Sequence, residues 1–499
     1  MKEGSLKRIL AYTFRYRWSF ITSVFGFIIF AAADIAAVDW IRRIISYINS
    51  EDDSLNTILA LSLIFIAIGR GLGFFIGNYF MSRVGFGIVH DLRAELFQKL
   101  HDLPKSYFDS NQGGQLINRI TFTTTQVSAA ASNAVKTFVR EGFLLVGLFV
   151  YLTILNFKLT LLLIGTAPLI AMIVYVAGKR LKKLATKIQT AMGDVTHIAS
   201  EAVDGHVEIK SFNAQDYENS RFLKANASNK NQNLKLEATG NLATPIIQIL
   251  VSVSLSLVAY FALGSQLGIS LDAETFVAFF TAAGLMAKPI RQLSNINIIV
   301  QKGLAAANEI FDQLDQDNED NSGDIKNKIN GDIEFKNIEF SYNSDNENEE
   351  AKKIITLKNI NLKMMGGKMT SLVGHSGSGK STILNLIPRI YDADIGDITI
   401  DSQSIYKTKL KSLRSNISFV SQDTNLFDDT IKNNISYADM DATDEEIYNA
   451  AKLSYASEFI DKLEDKYDTK IGENGIRLSG GEKQRLSIAR AILKKSKII

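Results

Sequence analysis

The sequence predicts two parts, an all-α polytopic membrane domain followed by an α/β domain. Six stretches of roughly 20 or more mostly apolar residues lie before residue 305, and each is long enough to cross a bilayer as a helix. From residue 333 the apolar residues alternate as they do in half-buried strands, and a glycine-rich motif follows over 374–382. These observations predict a membrane domain over 1–315, a polar linker over 316–330 and a second domain over 331–499.

Composition excludes several classes of protein. The 499 residues include 55 Lys plus Arg against 53 Asp plus Glu, and this balance excludes a strongly basic nucleic-acid-binding protein. A hydrophobic content of 46% is too high for an ordinary soluble enzyme, and a mean hydropathy of +0.05 is too low for a chain made only of membrane spans. The chain has no cysteine, which excludes a disulfide framework, a thiolate metal site and a thiol nucleophile.

The distribution of basic residues predicts the orientation of the spans. Lys and Arg are concentrated before the first span and after the fourth, whereas the short loops 156–158 and 264–272 have almost none. Because cytoplasmic segments of membrane proteins have the excess of Lys and Arg, both termini are predicted to be cytoplasmic. The six predicted spans are 19–40, 55–81, 137–155, 159–177, 243–263 and 275–300.

Two long segments between spans, 82–136 and 178–242, are charged yet keep apolar residues at helical spacing. This pattern predicts that the spans continue as helices far into the cytoplasm. The turns at their far ends, near 104–114 and 205–216, are expected to contact a soluble domain. The alternative is that these segments are only solvated loops.

The segment 374–382 matches the G-x-x-x-x-G-K-[ST] pattern of a phosphate-binding loop and follows the strand-like run 369–373. Glycines let successive backbone N–H groups point at one anion, and the helix start adds the positive end of its dipole. Lys380 is predicted to neutralise the β- and γ-phosphates of a nucleotide, and Ser381 to hold Mg²⁺. The alternative is a glycine-rich turn without a ligand. The predicted cofactor-binding residues are Gly374, His375, Ser376, Gly377, Ser378, Gly379, Lys380, Ser381 and Thr382.

A second phosphate-binding candidate begins at Leu478 with the sequence Leu-Ser-Gly-Gly-Glu. Ser479 and Glu482 have the spacing of a capping box, which predicts a helix start there. Gly480 and Gly481 would leave the first backbone amides of this helix open to an anion. The alternative is a capped surface helix with no ligand.

Together these motifs resemble those of the ABC transporters of the exporter type, in which six spans precede one nucleotide-binding domain. Leu478 to Glu482 resembles the family signature, with Glu482 where glutamine is commoner. The resemblance implies that Gln422 is the catalytic Q-loop residue, which contacts Mg²⁺ and the attacking water. It also implies that Tyr342 stacks on adenine, although the acidic insert 343–353, expected to be a mobile loop, lengthens its spacing from the phosphate-binding loop.

The resemblance implies ATP and Mg²⁺ as cofactors and a homodimer. In the family, each ATP lies between the phosphate-binding loop of one chain and the signature of the other. The whole chain is most similar to lipid A flippases, whose coupling regions the segments 107–120 and 205–212 resemble. This implies an ATPase and translocase of a bacterial-type inner membrane that exports a lipid A-core type glycolipid. Two alternatives are a multidrug or peptide exporter and a non-transporting ATP-binding membrane subunit.

Three arginines lie within or at the edges of predicted spans: Arg70, Arg140 and Arg291. A guanidinium inside a membrane usually faces a cavity or reaches the interface, because its insertion at the bilayer centre costs about 2.5–3.5 kcal/mol. The lipid A flippases have basic residues in these places, so the resemblance implies that the three arginines meet the phosphates of the substrate. The alternative is snorkelling or pairing, for example of Arg140 with Glu141.

The family continues after its signature helix into a buried strand that ends in Asp-Glu, and later has a switch histidine. Here the sequence ends at Ile499, where that strand would begin. The resemblance therefore predicts an incomplete α/β P-loop NTPase domain, truncated before the Walker B strand. We expect this chain alone to hydrolyse ATP poorly or not at all.

Overall fold

The computed structural model describes residues 4–49, 56–111, 113–165, 167–263, 272–324, 329–342, 354–422 and 424–499. The chain divides into two compact units. The first unit comprises residues 1–100 and 114–316, and the second comprises residues 101–113 and 317–499. The predicted insert 343–353 and most of the predicted loop 264–272 lie outside the described residues.

The first unit is helical. Between Asn118 and Val135 it contains two single-turn π-helices, Arg119–Thr123 and Ala130–Ala134. The helices up to residue 314 are α1 Gly4–Arg15, α2 Arg17–Asn49, α3 Asn56–Asp102, α4 Lys105–Ser110, α5 Gly113–Asn118, α6 Thr124–Ala129, α7 Val135–Leu155, α8 Phe157–Ile164, α9 Ala167–Asp204, α10 His206–Ser211, α11 Gln215–Leu263, α12 Ala273–Leu285 and α13 Ala287–Leu314. Of these, α4 belongs to the second unit.

Among the residues that the structure describes, three helical segments are long and apolar enough to cross a membrane: Arg17–Asn49, Thr57–Asp102 and Gly113–Leu155. They contain the first and third predicted spans and residues 57–81 of the second. The fourth and sixth predicted spans fall on helices that are interrupted, near Gly165 and at Met286. The fifth falls on α11. The last three spans therefore stay predictions.

The charged segments that follow spans two and four are helical, as their apolar periodicity predicts. Helix α3 has 47 residues, about 70 Å at 1.5 Å per residue, which is more than twice the thickness of a bilayer core. Helices α9 and α11 have 38 and 49 residues. The short helices α4 and α10 lie at the two turns named from the sequence.

Helices α2 and α3 approach each other closely at three glycines. A Cβ atom on Gly26 would lie 2.5 Å from the Gly77 nitrogen and 3.0 Å from the Gly73 oxygen, so no side chain fits there. Ser23, which is buried, donates from Oγ to the Gly77 carbonyl at 2.6 Å. Small residues allow this close backbone contact between helices in a membrane, where van der Waals packing drives association.

The second unit contains a four-stranded antiparallel sheet formed by β1 Ile333–Tyr342, β2 Ile354–Met364, β3 Ile395–Ile400 and β4 Gln403–Ser404. The strands lie in the order β2-β1-β3-β4. The alternation that predicted β1 is confirmed, since Ile333, Phe335, Ile338 and Phe340 are all buried. A bulge at Asn337, with φ of 51°, adds the residue that lengthens the spacing in the middle of the strand. The elements are β1 Ile333–Tyr342, β2 Ile354–Met364, α14 Lys380–Leu386, β3 Ile395–Ile400, β4 Gln403–Ser404, α15 Leu410–Ser415, α16 Ile431–Ser436, α17 Asp444–Leu453, α18 Ser457–Ile460 and α19 Gly480–Leu493.

The strand predicted over 369–373 is wrong, because these residues form no regular structure. Met369 and Val373 are 95% and 94% exposed. A strand is stable only when its backbone N–H and C=O groups pair with a neighbour, and no described strand lies beside this run. The strand-like composition of this run was therefore not sufficient to predict a strand.

We expect Gly26→Ala to lower the melting temperature of the purified protein. The added methyl group meets backbone atoms of α3 that cannot rotate away, and overpacking of this kind costs about 1–3 kcal/mol. Gly69→Ala is the matched control, because a Cβ atom there meets nothing within 4 Å. Equal melting temperatures for the two variants in detergent would contradict the close contact of α2 with α3.

Candidate functional site

The loop before α14 has the backbone geometry of an anion-binding turn. Gly377 and Gly379 have φ values of 80° and 85°, in the left-handed region that favours glycine. At Gly379 a Cβ atom would also lie 2.5 Å from the Leu357 side chain. Helix α14 begins with Lys380 directly after this glycine. The sequence therefore needs glycine at this position both for backbone conformation and for space.

The Lys380 ammonium group lies within the loop. Its Nζ donates to the carbonyl oxygens of Gly374 at 3.0 Å and His375 at 2.7 Å, and it lies 3.3 Å from the Ser378 Oγ. Residues 374–378 and Ser381 are exposed. A Cβ atom on Gly377 would meet nothing within 4 Å, so there is open space beside the loop. The Lys380 ammonium group, the exposed backbone amides of the loop and the Ser381 hydroxyl at the helix start are suited to a nucleoside triphosphate with Mg²⁺.

Tyr342 lies beside this loop. Its hydroxyl is 3.1 Å from the Oγ1 of Thr382, which is buried in α14. The Tyr342 ring is perpendicular to those of Phe340 and Tyr391, at centroid distances of 4.8 and 5.3 Å. The structure thus places the predicted adenine-binding ring next to the predicted phosphate-binding helix, within an aromatic cluster.

Gln422 is exposed and lies in a bend of the chain. Among the described residues, no group of three or more His, Asp or Glu side chains is arranged to hold a metal ion. The donors predicted for Mg²⁺ within this part of the chain are therefore the Ser381 hydroxyl and the Gln422 amide oxygen. Both donors suit Mg²⁺, which binds oxygen ligands and usually completes its shell with water and substrate phosphates.

The capping box predicted at the second motif is confirmed. The Ser479 N–H and hydroxyl donate to the Glu482 Oε2 at 2.7 and 2.8 Å, and the Glu482 N–H donates to the Ser479 Oγ at 3.4 Å. Helix α19 begins at Gly480, and both Gly480 and Gly481 are exposed. The helix start is therefore rigid, and its first glycine amides face solvent.

Arg490 connects α19 to the segment after Gln422, and sequence reasoning had not identified it. Its Nε and Nη2 donate to the backbone and side-chain oxygens of Asn434 at 2.5 and 2.6 Å, and its Nη1 donates to the Asn425 carbonyl at 2.8 Å. The guanidinium lies over the Phe427 ring at 5.8 Å. Burial lowers the pKa of Arg490, which nevertheless stays charged because free arginine titrates far above neutral pH.

The two candidate phosphate-binding motifs lie on different hydrophobic cores. Helix α14 contributes Ile383 and Leu386 to a core formed with the β-sheet. Helix α19 contributes Leu486 and Ala489 to a second core formed with the helices α16 to α18. Each motif is therefore positioned by its own set of packed elements.

In the first unit, a cavity of about 390 Å³ brings together charged residues from four helices, α2, α3, α7 and α13. Arg70 of α3 donates from Nε to Asp34 of α2, and its guanidinium lies 5.5 Å over the Phe30 ring. Arg140 of α7 forms an ion pair with Glu141 at 2.6 Å and also donates to Gln292 at 2.9 Å. The pairing of Arg140 with Glu141 named as an alternative is therefore present. The charged residues that line the cavity are Asp34, Arg70, Arg140, Glu141 and Lys288.

Arg291 does not line this cavity, whereas Lys288 of the same helix does. Residues three apart on an α-helix differ by about 60° around its axis, which is enough for one to line a cavity and the other not to, although both side chains are exposed. Sequence reasoning named Arg291 and missed Lys288. A lysine within a predicted span costs as much to insert as an arginine, and that cost was the signal that could have identified Lys288.

The comparisons with known proteins agree with both halves of the chain. Residues 20–290 match the family model described as the ABC transporter transmembrane region, and residues 357–499 match the model described as ABC transporter. The chain is 42% identical to the "ATP-dependent lipid A-core flippase" of Pseudomonas syringae pv. syringae and 41% identical to that of Pseudomonas aeruginosa. Each alignment covers 99% of this chain and 83% of the relative.

Among solved structures, a bacterial Atm1-family ABC exporter with ATP bound matches with a TM-score of 0.81 and 24% identity. That match covers 96% of this chain and 84% of the other, and it shows the fold. The two family models follow each other in the same order as the two predicted domains, and the relatives align over almost the whole chain. This chain therefore belongs to the ABC transporter family, as an exporter-type half-transporter with a helical membrane domain followed by an ATPase domain.

Proposed function

We propose that this chain is half of an ATP-driven flippase that moves a phosphorylated glycolipid of the lipid A-core type across the bacterial inner membrane. The observation that carries the proposal is the cavity in the membrane domain where Arg70, Arg140 and Lys288 meet. Its three cations face two carboxylates, Asp34 and Glu141, so one positive charge is in excess. Arginine binds phosphate through two parallel hydrogen bonds, which makes such a cavity suitable for a phosphorylated headgroup.

Phosphate binding must displace the ion pairs already present, and this opposes binding in part because the displaced carboxylate loses its partner. A phosphate that reaches Arg70 replaces the Asp34 carboxylate as its partner, so the guanidinium exchanges one anion for another and is not desolvated anew. The same exchange applies to Arg140 and Glu141. The carboxylates therefore keep the cations paired when no lipid is present, and they give way to an anion with more acceptor oxygens.

An apolar cavity supports an amphiphilic substrate. This cavity, of about 340 Å³, is lined by Leu145, Val146 and Phe149 of α7, together with residues of α8, α11, α12 and α13. Arg140, Glu141 and Leu144 of the same helix line the charged cavity. Helix α7 thus borders a charged cavity and an apolar one, which suits a molecule with a phosphorylated headgroup and acyl chains better than a peptide.

The nucleotide site is proposed to be completed by a second copy of the chain. The glycine loop with Lys380 and the helix start at Ser479 each present half of a phosphate-binding surface, and they lie on different cores. Two chains in opposite orientation would bring the loop of one to the helix start of the other, as the family pattern implies. When bound, ATP with Mg²⁺ supplies the free energy for the conformational cycle. In this arrangement the ATPase domain and both termini lie on the cytoplasmic side.

We expect Lys380→Ala to weaken nucleotide binding about tenfold or more, because it removes a charge-assisted contact to phosphate. The measurement is titration of the purified protein with a fluorescent ATP analogue in the presence of Mg²⁺. Lys368→Ala is the control, since Lys368 is an exposed lysine before the loop. Unchanged affinity in Lys380→Ala would contradict a nucleotide site at this loop.

For the lipid, we expect Arg70→Ala and Lys288→Ala each to weaken binding of a bisphosphorylated lipid A-type glycolipid about tenfold. Binding is measured in nanodiscs, with the dephosphorylated glycolipid as a second ligand that neither variant affects. Asp34→Asn should act in the opposite direction, since it frees Arg70 for the phosphate.

Arg291→Ala is the matched control for these variants, because Arg291 is exposed and does not line the cavity. Melting temperatures are measured alongside, because Arg70→Ala leaves Asp34 without its partner. The proposal would be wrong if Arg291→Ala weakened binding as much as Arg70→Ala. It would also be wrong if both ligands bound every variant equally, a result that favours an exporter of uncharged hydrophobic molecules.

A further inference from the structure

A second apolar cavity of the first unit is a groove of about 890 Å³ beside α1 and the start of α2. Its walls are formed by side chains of α1, α2, the second π-helix, the start of α7 and α13. Apart from Thr13 and Arg17, the residues that line it have apolar side chains. The Thr13 hydroxyl donates to the Ile9 carbonyl at 3.0 Å. The Arg17 guanidinium is therefore the cation of this groove, which shares no lining residue with the charged cavity.

The groove has large side chains at its rim and small ones at its base. Leu10, Phe14 and Ile21 are 46%, 72% and 54% exposed, and their spacing of four and seven residues places them on one face of the helices. The base is formed by three buried alanines of the π-helix, Ala130, Ala131 and Ala134. The volume lies within the range of about 300–1,000 Å³ that is usual for ligand sites. An apolar groove of this size and lining suits a hydrocarbon chain.

Arg17 differs from the two arginines before it, because it has no carboxylate partner among the residues that the structure describes. Arg8 forms an ion pair with Asp315 at 2.7 Å, and Arg15 forms one with Glu95 at 3.0 Å. Those two pairs fix α1 to the end of α13 and to α3. The guanidinium beside the groove is thus available to an anion, and arginine suits phosphate in particular.

The position of Arg17 in the chain indicates where such an anion comes from. Arg17 is the first residue of α2, and its guanidinium lies 6.0 Å over the ring of Trp18, which is 73% exposed. Tryptophan is enriched where membrane meets water. In the orientation proposed above, this end of α2 lies at the cytoplasmic leaflet, whose anionic lipids attract each nearby Lys or Arg by about 1 kcal/mol. A cation at the mouth of an apolar groove complements a lipid of that leaflet.

We propose that this groove binds one anionic phospholipid of the cytoplasmic leaflet, with its phosphate on Arg17 and an acyl chain against α7 and α13. The inference goes beyond the proposed function and rests on it only for the orientation of the chain. One cation suits the single phosphate of a phospholipid, whereas the charged cavity offers three cations to the bisphosphorylated glycolipid. The bound phospholipid is therefore a component of the folded membrane domain, and it packs α1 against α7 and α13.

The test is native mass spectrometry of the full chain in detergent, titrated with dioleoyl phosphatidylglycerol or with dioleoyl phosphatidylcholine, which has the same acyl chains and no net charge. Arg17→Ala should weaken binding of the first phosphatidylglycerol about tenfold, to the level of phosphatidylcholine, because it removes a charge-assisted contact. Lys7→Ala is the matched control, since Lys7 is an exposed cation of α1 that does not line the groove. Equal effects of the two variants, or none in Arg17→Ala, would overturn the inference.

A second pair of variants tests the acyl chain. Ile21→Trp adds bulk at the rim of the groove and should weaken binding of both lipids about tenfold, because it excludes a chain from the apolar wall. Ile28→Trp adds the same bulk to an exposed position of α2 outside the groove, and should leave both affinities unchanged. The same spectra report the number of copies in each complex. If Ile21→Trp separates the copies and leaves lipid binding intact, the groove is a contact between two chains and the inference is wrong.

The bisphosphorylated glycolipid is the third ligand in these titrations, and it distinguishes the inference from the proposed function. If Arg17→Ala weakens glycolipid binding as much as phosphatidylglycerol binding, the groove takes the substrate and the inference is wrong. Arg70→Ala should leave phosphatidylglycerol binding unchanged. Loss of phosphatidylglycerol binding in Arg17→Ala, with the glycolipid indifferent to Arg70→Ala, supports the inference and overturns only the proposed function. Phosphatidylglycerol should also raise the melting temperature of the wild type more than that of Arg17→Ala.

Discussion

Charged side chains removed from water need a partner, and this constraint shapes both units of the chain. In the membrane domain, the largely buried Arg140 lies beside the buried Glu141, and the largely buried Asp34 lies beside Arg70, which is more exposed. Glu141 is 2% exposed, and its Oε2 has no hydrogen-bond partner among the described residues, so even this paired group keeps one acceptor free. In a cavity held together by such pairs, an incoming anion takes the place of a carboxylate beside the guanidinium, and the displaced carboxylate is left without its cation. That property suits a site that must bind a charged headgroup and then release it.

The features that the sequence predicted well depend on residues close together in the chain. The helix start at Ser479 follows from the identity of one residue three positions later, and the buried face of β1 follows from its own alternation. The glycine loop is similarly local, since two positive φ values demand glycine whatever the rest of the domain does. The resemblance to the ABC transporters then implied a chemical role for each of these motifs, and the comparisons support that family for almost the whole chain.

What the sequence did not predict depends on contacts between distant residues. The run 369–373 has the composition of a strand, but a strand exists only where another strand pairs with it. Arg291 and Lys288 both lie in a predicted span, and only tertiary structure decides which of them enters the cavity. The bond from Tyr391 to Asp109 joins residues 282 positions apart, so no local pattern points to it. The motifs could therefore be predicted from the sequence, whereas the contacts between them could not.

Glu482 bears on how the signature helix would meet a phosphate. Its carboxylate lies against the Ser479 N–H and hydroxyl, at the positive end of α19, where a glutamine would place no charge. The carboxylate thus already offsets part of the field that would attract an anion, and it occupies the Ser479 donors. An anion approaching this helix must rely on the exposed amides of Gly480 and Gly481, which the capping box holds in a fixed direction. Glutamate in place of glutamine therefore weakens the electrostatic attraction of this helix start for an anion, whereas its capping box keeps the helix start rigid.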